Sequence, residues 1–244
     1  MKPSKLNWFA RRAELNSTAA RRLLASLEKN RKLNQKLLSI SWPLQEFKLI
    51  QAWQQQRMSN DYADFSEQPD YQPAVNFFLQ ELYGDFSFID RNQDLHKVYP
   101  VMVKLLPATM LDTLTDALTF QAHSLKLDMQ MAEAKHQDQS QSSASAKMDL
   151  EHYIKINRDA VLQQHRRRQV GQVVSLGKAL VKAAEHRMLL RLLKMMRLPA
   201  KSAGFGQLHE FLENGLSAFK KMPDAGYFLN TVEQRETAFI DKLY

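Results

Sequence analysis

Apolar residues recur at three- and four-residue intervals along most of the chain, which is the spacing of helices with one buried face. Two of these stripes are Leu23, Leu24 and Leu27, and Leu44, Phe47, Ile50 and Trp53. No strict alternation of apolar and polar residues lasts for the length of a strand. The pattern predicts an all-α fold, a bundle of about seven to nine helices in one unit or in two packed helical subdomains.

The segment QPAVNFFLQELYG, residues 72–84, carries the densest apolar pattern. Pro73 suits the first turn of a helix, and Gly84 can end it. The adjacent Phe77 and Phe78 would point about 100° apart and wedge between two neighbouring helices. We interpret the segment as scaffold. The alternative is a ligand pocket lined by Phe77, Phe78, Tyr83 and His96.

Polar and low-complexity sequence suggests where the chain is divided. HQDQSQSSASAK, residues 136–147, has nothing to bury and is the best linker candidate. We expect a basic helical extension over 1–40, a helical region over 41–136, a polar linker over 137–147, and a C-terminal helical region over 148–244 packed on 41–136. Residues 148–198 are expected to form one or two long helices, the last closed by Pro199.

Composition favours a cytoplasmic protein. The 244 residues include no cysteine, which excludes disulfides, thiolate metal sites and cysteine nucleophiles. The first residues lack the apolar run of a signal sequence, and no segment approaches the roughly 20 apolar residues of a membrane span. We therefore expect that the chain is not an integral membrane protein.

Charge is divided along the chain into blocks of opposite sign. Residues 1–40 carry 10 Lys+Arg against 2 acids, and residues 141–201 carry 13 against 4. Residues 41–140 instead carry 7 Lys+Arg against 14 acids, although the whole chain has a net charge of +8. Such blocks either dock on one another within the fold or present separate faces to partners.

The basic runs are candidates for binding nucleic acid or another anion. The candidate side chains, which could neutralise phosphates, are Arg11, Arg12, Arg21, Arg22, Arg166, Arg167 and Arg168. Trp8 and Phe9 could stack on bases, or lie with the same N-terminal cations on an anionic membrane. Consecutive arginines on a helix point in different directions, so they do not form one patch by themselves.

Known catalytic and metal motifs are missing from the sequence. The run beginning at Asp90 imitates a calcium loop, but Leu95 and Val101 stand where that loop needs glycine and glutamate. Glu133 with His136 and Asp149 with His152 have the spacing of di-iron ligands, but both pairs flank the polar linker. We expect no catalytic residues, no metal and no cofactor.

Several blocks of sequence resemble a known family. YADF, PAVNFFLQELYG, RNQDLHKVYPVMVKLLP and MMRLPAKSAGFGQLHEFLENGLSAFKKM, in this order, resemble the bacterial FFLEELY-motif proteins, whose function is uncharacterised. The resemblance covers roughly residues 44–244, and Gln80 replaces the glutamate of the name-giving motif. It implies a helical bacterial protein and supplies no reaction.

The sequence thus favours a protein that acts by binding, as a scaffold or a regulatory interaction module. We expect a protein partner or self-association. The first alternative is an RNA- or DNA-associated protein, and the second is a helical protein that binds a small ligand or cofactor.

Overall fold

The computed structural model describes residues 5–82, 87–138, 148–202 and 206–244. Within these ranges it contains eleven α-helices, one π-helical segment and no β-strand, which confirms the predicted all-α class. The helices are α1 (Lys5–Leu37), α2 (Leu44–Asp61), α3 (Ala63–Ser66), α4 (Gln72–Asn76), α5 (Ser87–Leu105), α6 (Ala108–Gln137), α7 (Leu150–Ala160), α8 (Gln163–Ala184), α9 (Arg187–Ser202), α10 (Gly206–Lys221) and α11 (Ala225–Leu243). The π-helical segment, Phe77–Leu82, directly follows α4.

Helix α6 contributes to all three hydrophobic clusters of the core. Leu111 and Leu118 pack in a cluster with α1 and α5. Phe120 joins a cluster of residues from α8, α10 and α11, and Met131 joins another with α2 and α7. Because all three clusters share one helix, its packing couples the two halves of the chain.

Helix α1 packs against this central helix. Leu23 and Leu27 are fully buried in the contact. Asn30 is also fully buried, and its Nδ2 donates to the carbonyl oxygens of Ser26 and Leu118, each at 2.9 Å. The described part of α1 is therefore held on the body of the protein by apolar contacts and by a buried polar one.

Ion pairs follow the same contact between α1 and α6. Arg22 Nη1 lies 3.0 Å from Asp112 Oδ1, and Lys36 Nζ lies 2.7 Å from Glu133 Oε1. These pairs join the basic N-terminal block to the acidic block of residues 41–140. Part of the charge that the sequence separates is thus neutralised inside the fold.

The two adjacent phenylalanines of the FFLQEL segment are buried and face different neighbours. The ring centroid of Phe77 lies 5.1 Å from that of Phe211 on α10. Phe78 instead packs near Phe219 of α10 and Phe228 of α11, at 5.8 and 5.9 Å. The wedge predicted from the sequence is present, but its backbone is π-helical, which the periodicity did not indicate.

The long helical stretch expected over residues 148–198 is divided into three helices. The first break follows Ala160, where Val161 takes an extended conformation with φ −132° and ψ 129° and is buried. A β-branched side chain is well accommodated in extended backbone. Burial of Val161 in this conformation therefore interrupts the helix at this point, although the neighbouring residues favour a helix. The second break lies at Glu185 and His186, between α8 and α9.

Pro199 does not close α9, contrary to the expectation. The helix continues to Ser202 with Pro199 inside it. Proline removes the donor to the carbonyl four residues earlier, which belongs to Met195. Both residues are exposed, so water can donate to this carbonyl in place of the missing N–H.

Candidate binding surface and interior polar site

The basic candidates of the N-terminal helix have different environments. Arg11 and Arg12 belong to α1, but their side chains lie outside the described residues. Arg21 is exposed, and Arg22 is engaged by Asp112 at 3.0 Å. Of the two arginines whose side chains the structure describes, Arg21 is open to solvent and has no acidic partner among the described residues.

The three consecutive arginines of α8 are not on one surface. Arg166 is buried, whereas Arg167 and Arg168 are exposed. Arg167 Nη2 lies 2.6 Å from Asp241 Oδ1 on α11. Arg166 therefore belongs to the interior of the protein and contributes nothing to a basic surface patch.

Two of the four predicted pocket residues are part of the core. Phe77 and Phe78 are buried, and Phe78 lines a small apolar cavity of about 40 Å³. His96 is partly buried, with its Nδ1 3.9 Å from Glu28 Oε1. Tyr83 lies outside the described residues. His96 does not line this cavity.

Helix α9 presents a basic and apolar face to solvent. It carries five cations and no acidic residue. The exposed positions that recur along one face of the helix include Arg187, Arg191, Lys194, Met195, Leu198 and Lys201. Met195 and Leu198 expose 70% and 76% of their surface. These two apolar side chains are thus surrounded by cations on the exposed side of the helix.

The opposite face of α9 is anchored on the body. Leu189 and Ala200 are buried. His209 of α10 is also buried and its Nε2 lies 2.7 Å from the carbonyl oxygen of Leu193. Among the described residues, Arg197 is the α9 cation found with an acidic partner, at 3.8 Å from Glu213. The outer face is thus displayed on a fixed helix.

A polar network lies in the interior around Arg166. Its Nε donates to Asn157 Oδ1 and its Nη1 to Gln169 Oε1, both at 2.9 Å. Its Nη2 contacts Met131 Sδ at 2.7 Å. The nearest described carboxylate, that of Asp128, is 3.9 Å from Nη1 and does not accept a direct hydrogen bond.

Asp128 is itself buried, and burial raises the pKa of its carboxyl group above the usual value, although Arg166 opposes the shift. Its Oδ1 accepts a hydrogen bond from Gln54 Nε2 at 3.0 Å, and the same nitrogen donates to Tyr153 Oη at 3.0 Å. Burial also raises the pKa of the Tyr153 hydroxyl. Burial thus raises the pKa of both groups beside a permanently charged guanidinium.

A second buried arginine borders the same region. Arg57 of α2 makes two hydrogen bonds to the carboxylate of Glu236 of α11, at 2.7 and 2.8 Å. Burial alone would lower the pKa of Arg57, but the Glu236 carboxylate reverses the effect and raises it. Tyr62 Oη donates to Glu236 Oε1 at 2.9 Å. Both oxygens of this carboxylate therefore accept hydrogen bonds.

A cavity of about 50 Å³ lies between these two arginines. Its polar lining consists of Gln54, Arg57, Tyr153, Arg166, Gln169 and Glu236. The apolar cavity beside Phe78 adjoins it, because Met58, Val173 and Glu236 line both. The sequence does not indicate this site, because its polar residues come from four helices and have no motif spacing.

The spaced acid and histidine pairs of the sequence have structural roles where they are described. Glu133 accepts from Trp42 Nε1 at 3.0 Å, and Asp149 caps α7 by accepting from the His152 backbone N–H at 2.9 Å. In the described ranges, no group of three or more His, Asp or Glu residues could hold a metal ion. No helix within those ranges is both long and apolar enough to cross a membrane.

The family of the chain is shown by its sequence. A family profile described as Domain of unknown function (DUF8198) matches residues 41–244, which is most of the chain. The protein belongs to this family, whose function is unknown. No curated protein and no solved structure shows significant similarity to it. The match begins after α1, so α1 packs on the family domain from outside it.

Proposed function

We propose that the protein acts by binding a partner protein, as a scaffold or regulatory module, and that the exposed face of α9 is the contact surface. The observation that carries the proposal is the exposure of Met195 and Leu198 within a helix of five cations and no acids. A protein interface commonly has an apolar centre and a polar rim, which is the arrangement of this face. The matching partner surface is an acidic segment with apolar side chains of its own.

Nucleic acid and membrane fit this face less well. Phosphates would engage the cations but leave Met195 and Leu198 in water. A bilayer would need a larger apolar face than two side chains provide. Full burial of both side chains contributes roughly 3–6 kcal/mol, which is less than association commonly costs, so the partner must also engage the surrounding charges.

The family assignment can be extended in the same way. We propose that the family is that of the bacterial FFLEELY-motif proteins, because all the sequence blocks that carry the resemblance fall within the matched residues 41–244. A cytoplasmic location is part of the proposal and is supported by the absence of cysteine from the sequence.

The test compares two charge-reversed variants in nuclease-treated extracts of the native host. Arg191→Glu with Lys194→Glu reverses the proposed face, and Lys126→Glu with Lys178→Glu makes the same charge change at exposed positions of α6 and α8. We expect tagged wild type and the control variant to retain the same partner protein, and the α9 variant to lose it. Retention of an identical set by all three would refute the proposed surface, and a partner that wild type retains from an untreated extract but not from the nuclease-treated one would indicate binding through nucleic acid.

A further inference from the structure

We propose that the cavity between α2, α8 and α11 is a binding site for a small monocarboxylate with a short apolar chain. This site is separate from the α9 face, and nothing in the proposed function depends on it. The cavity and its apolar neighbour measure about 50 and 40 Å³ as space available to water-sized molecules. Since one water needs roughly 10–15 Å³ in this measure, the two adjoining spaces together correspond to about six to nine waters, or to a ligand with about that number of non-hydrogen atoms.

Unused hydrogen-bond donors define the polar end of the site. A guanidinium has five N–H donors, and Arg166 directs three contacts to Asn157, Gln169 and the sulfur of Met131. The sulfur is a weak acceptor. The Nε of Arg57 is buried and has no hydrogen-bond partner among the described residues. A cavity bordered by such donors requires an acceptor-rich occupant.

Charge selects an anion over a neutral acceptor. The charge of Arg57 is matched by its two hydrogen bonds to Glu236. That of Arg166 is not matched in this way, because the Asp128 carboxyl lies 3.9 Å away and accepts no direct hydrogen bond from it. A carboxylate accepts hydrogen bonds from a guanidinium in a fork-like geometry, so it meets both requirements.

The adjoining cavity determines the rest of the ligand. Its lining includes Val75, Phe78, Leu79, Phe228 and Val232, which are all apolar. A short alkyl chain would fill this space and gain apolar contacts, whereas a second charged group there would lose its hydration without a partner. This excludes dicarboxylates and inorganic polyanions as good ligands.

Saturation-transfer difference NMR on the full-length protein tests the site with sodium butyrate as the probe. The matched control is butyramide, which has the same size and no charge, and sodium gluconate keeps the ionic strength constant with an anion too large for the cavity. We expect transfer to butyrate at least tenfold stronger than to butyramide, and its loss in Arg166→Gln. Equal signals from the two probes would show that the site does not select a carboxylate, and no signal from either would show that the cavity holds water only; both results would overturn the proposal.

A second variant covers the case in which Arg166→Gln fails to fold. Val232→Leu adds one methylene group to the apolar cavity and leaves the polar end intact. We expect it to weaken binding of hexanoate severalfold while leaving binding of acetate unchanged. If acetate and hexanoate respond alike, or if butyrate still binds a folded Arg166→Gln protein with unchanged affinity, the site is not the one proposed.

Discussion

Arg57 and Glu236 lie 179 residues apart in the chain and meet in a bidentate ion pair, with N–O distances of 2.7 and 2.8 Å. Their side chains are only 14% and 16% exposed. The Arg57 guanidinium also lies over the ring of Phe239, 4.2 Å from its centroid. One residue thus ties α2 to α11 through charge, hydrogen bonds and ring contact together.

Replacing Glu236 by glutamine should destabilise the protein by about 3 kcal/mol, because it leaves the Arg57 charge buried without its main carboxylate. Urea unfolding followed by circular dichroism measures the change. Glu28→Gln is the control, since Glu28 also pairs with an arginine, Arg31 at 2.8 Å, but on the open surface. We expect no measurable change there, and equal effects of both substitutions would contradict the account.

Two helical glycines should respond to alanine in opposite directions. A Cβ at Gly215 would lie 2.6 Å from Cζ of the buried Phe77, whereas a Cβ at Gly171 would have nothing within 4 Å. We expect Gly215→Ala to cost about 1–3 kcal/mol through overpacking. Gly171→Ala should stabilise the protein by about 0.5–1 kcal/mol through helix propensity. Thermal unfolding of both variants measures the two changes in stability. A Gly215→Ala protein as stable as wild type would show that α10 does not pack closely on Phe77.

Adjacent leucines of α1 test whether this helix is part of the folded unit. Leu23 is fully buried and Leu24 is 39% exposed. We expect Leu23→Ala to cost about 2–5 kcal/mol, and Leu24→Ala much less, because the first leaves a cavity between α1 and α6. Chemical denaturation of the two variants measures the difference. If both cost little, α1 does not pack on the family domain as described.

The pH dependence of stability should reveal the titration of the buried Asp128 carboxyl group. Burial raises the pKa of its carboxyl group in the folded state above the reference value of 3.8. The folded protein therefore binds this proton more tightly than the unfolded chain does, and the associated stability is lost as pH rises through the folded-state pKa. The loss amounts to about 1.4 kcal/mol for each unit by which the pKa is raised.

Asp128→Asn removes this titration and keeps the shape of the side chain. We expect the free energy of unfolding of wild type, relative to that of the variant, to fall as the pH rises above the reference value of 3.8. Urea denaturation of both proteins at increasing pH measures it. A relative stability that instead rises with pH would mean that the ionised carboxylate is the form that Arg166 stabilises.

The fold class followed from the sequence because its cause is local. The repeated spacing of apolar residues in stripes such as Leu23, Leu24 and Leu27 determines helices before any tertiary contact is known. The burial of Phe77 and Phe78 could be predicted for the same reason. The π-helical backbone around them could not, because it depends on how their rings meet α10 and α11.

The predicted helix boundaries were wrong where tertiary contacts determine the end of a helix. Val161 ends α7 because it is buried in an extended conformation, and nothing in the neighbouring sequence indicates this. Pro199 was expected to end a helix, but its exposed position allows the helix to continue. A proline predicts a boundary well only where water cannot replace its missing hydrogen bond.

The candidate sites were predicted least well, because they depend on contacts between distant segments. The run from Arg166 to Arg168 looked uniform in sequence, but Arg166 is buried and Arg167 pairs with Asp241. The net positive charge of α9 was visible in the composition. The exposure of Met195 and Leu198 on that helix became visible only once its packing on α10 was known.

Site-specific photo-crosslinking can capture a partner protein on the proposed α9 face directly. Benzoylphenylalanine in place of Leu198 is compared in living cells of the native host with the same residue in place of Leu162, which is 62% exposed between α7 and α8. We expect illumination to join the Leu198 variant to one defined protein and to leave the Leu162 variant free of it. The same crosslinks at both positions, or none at Leu198, would contradict it.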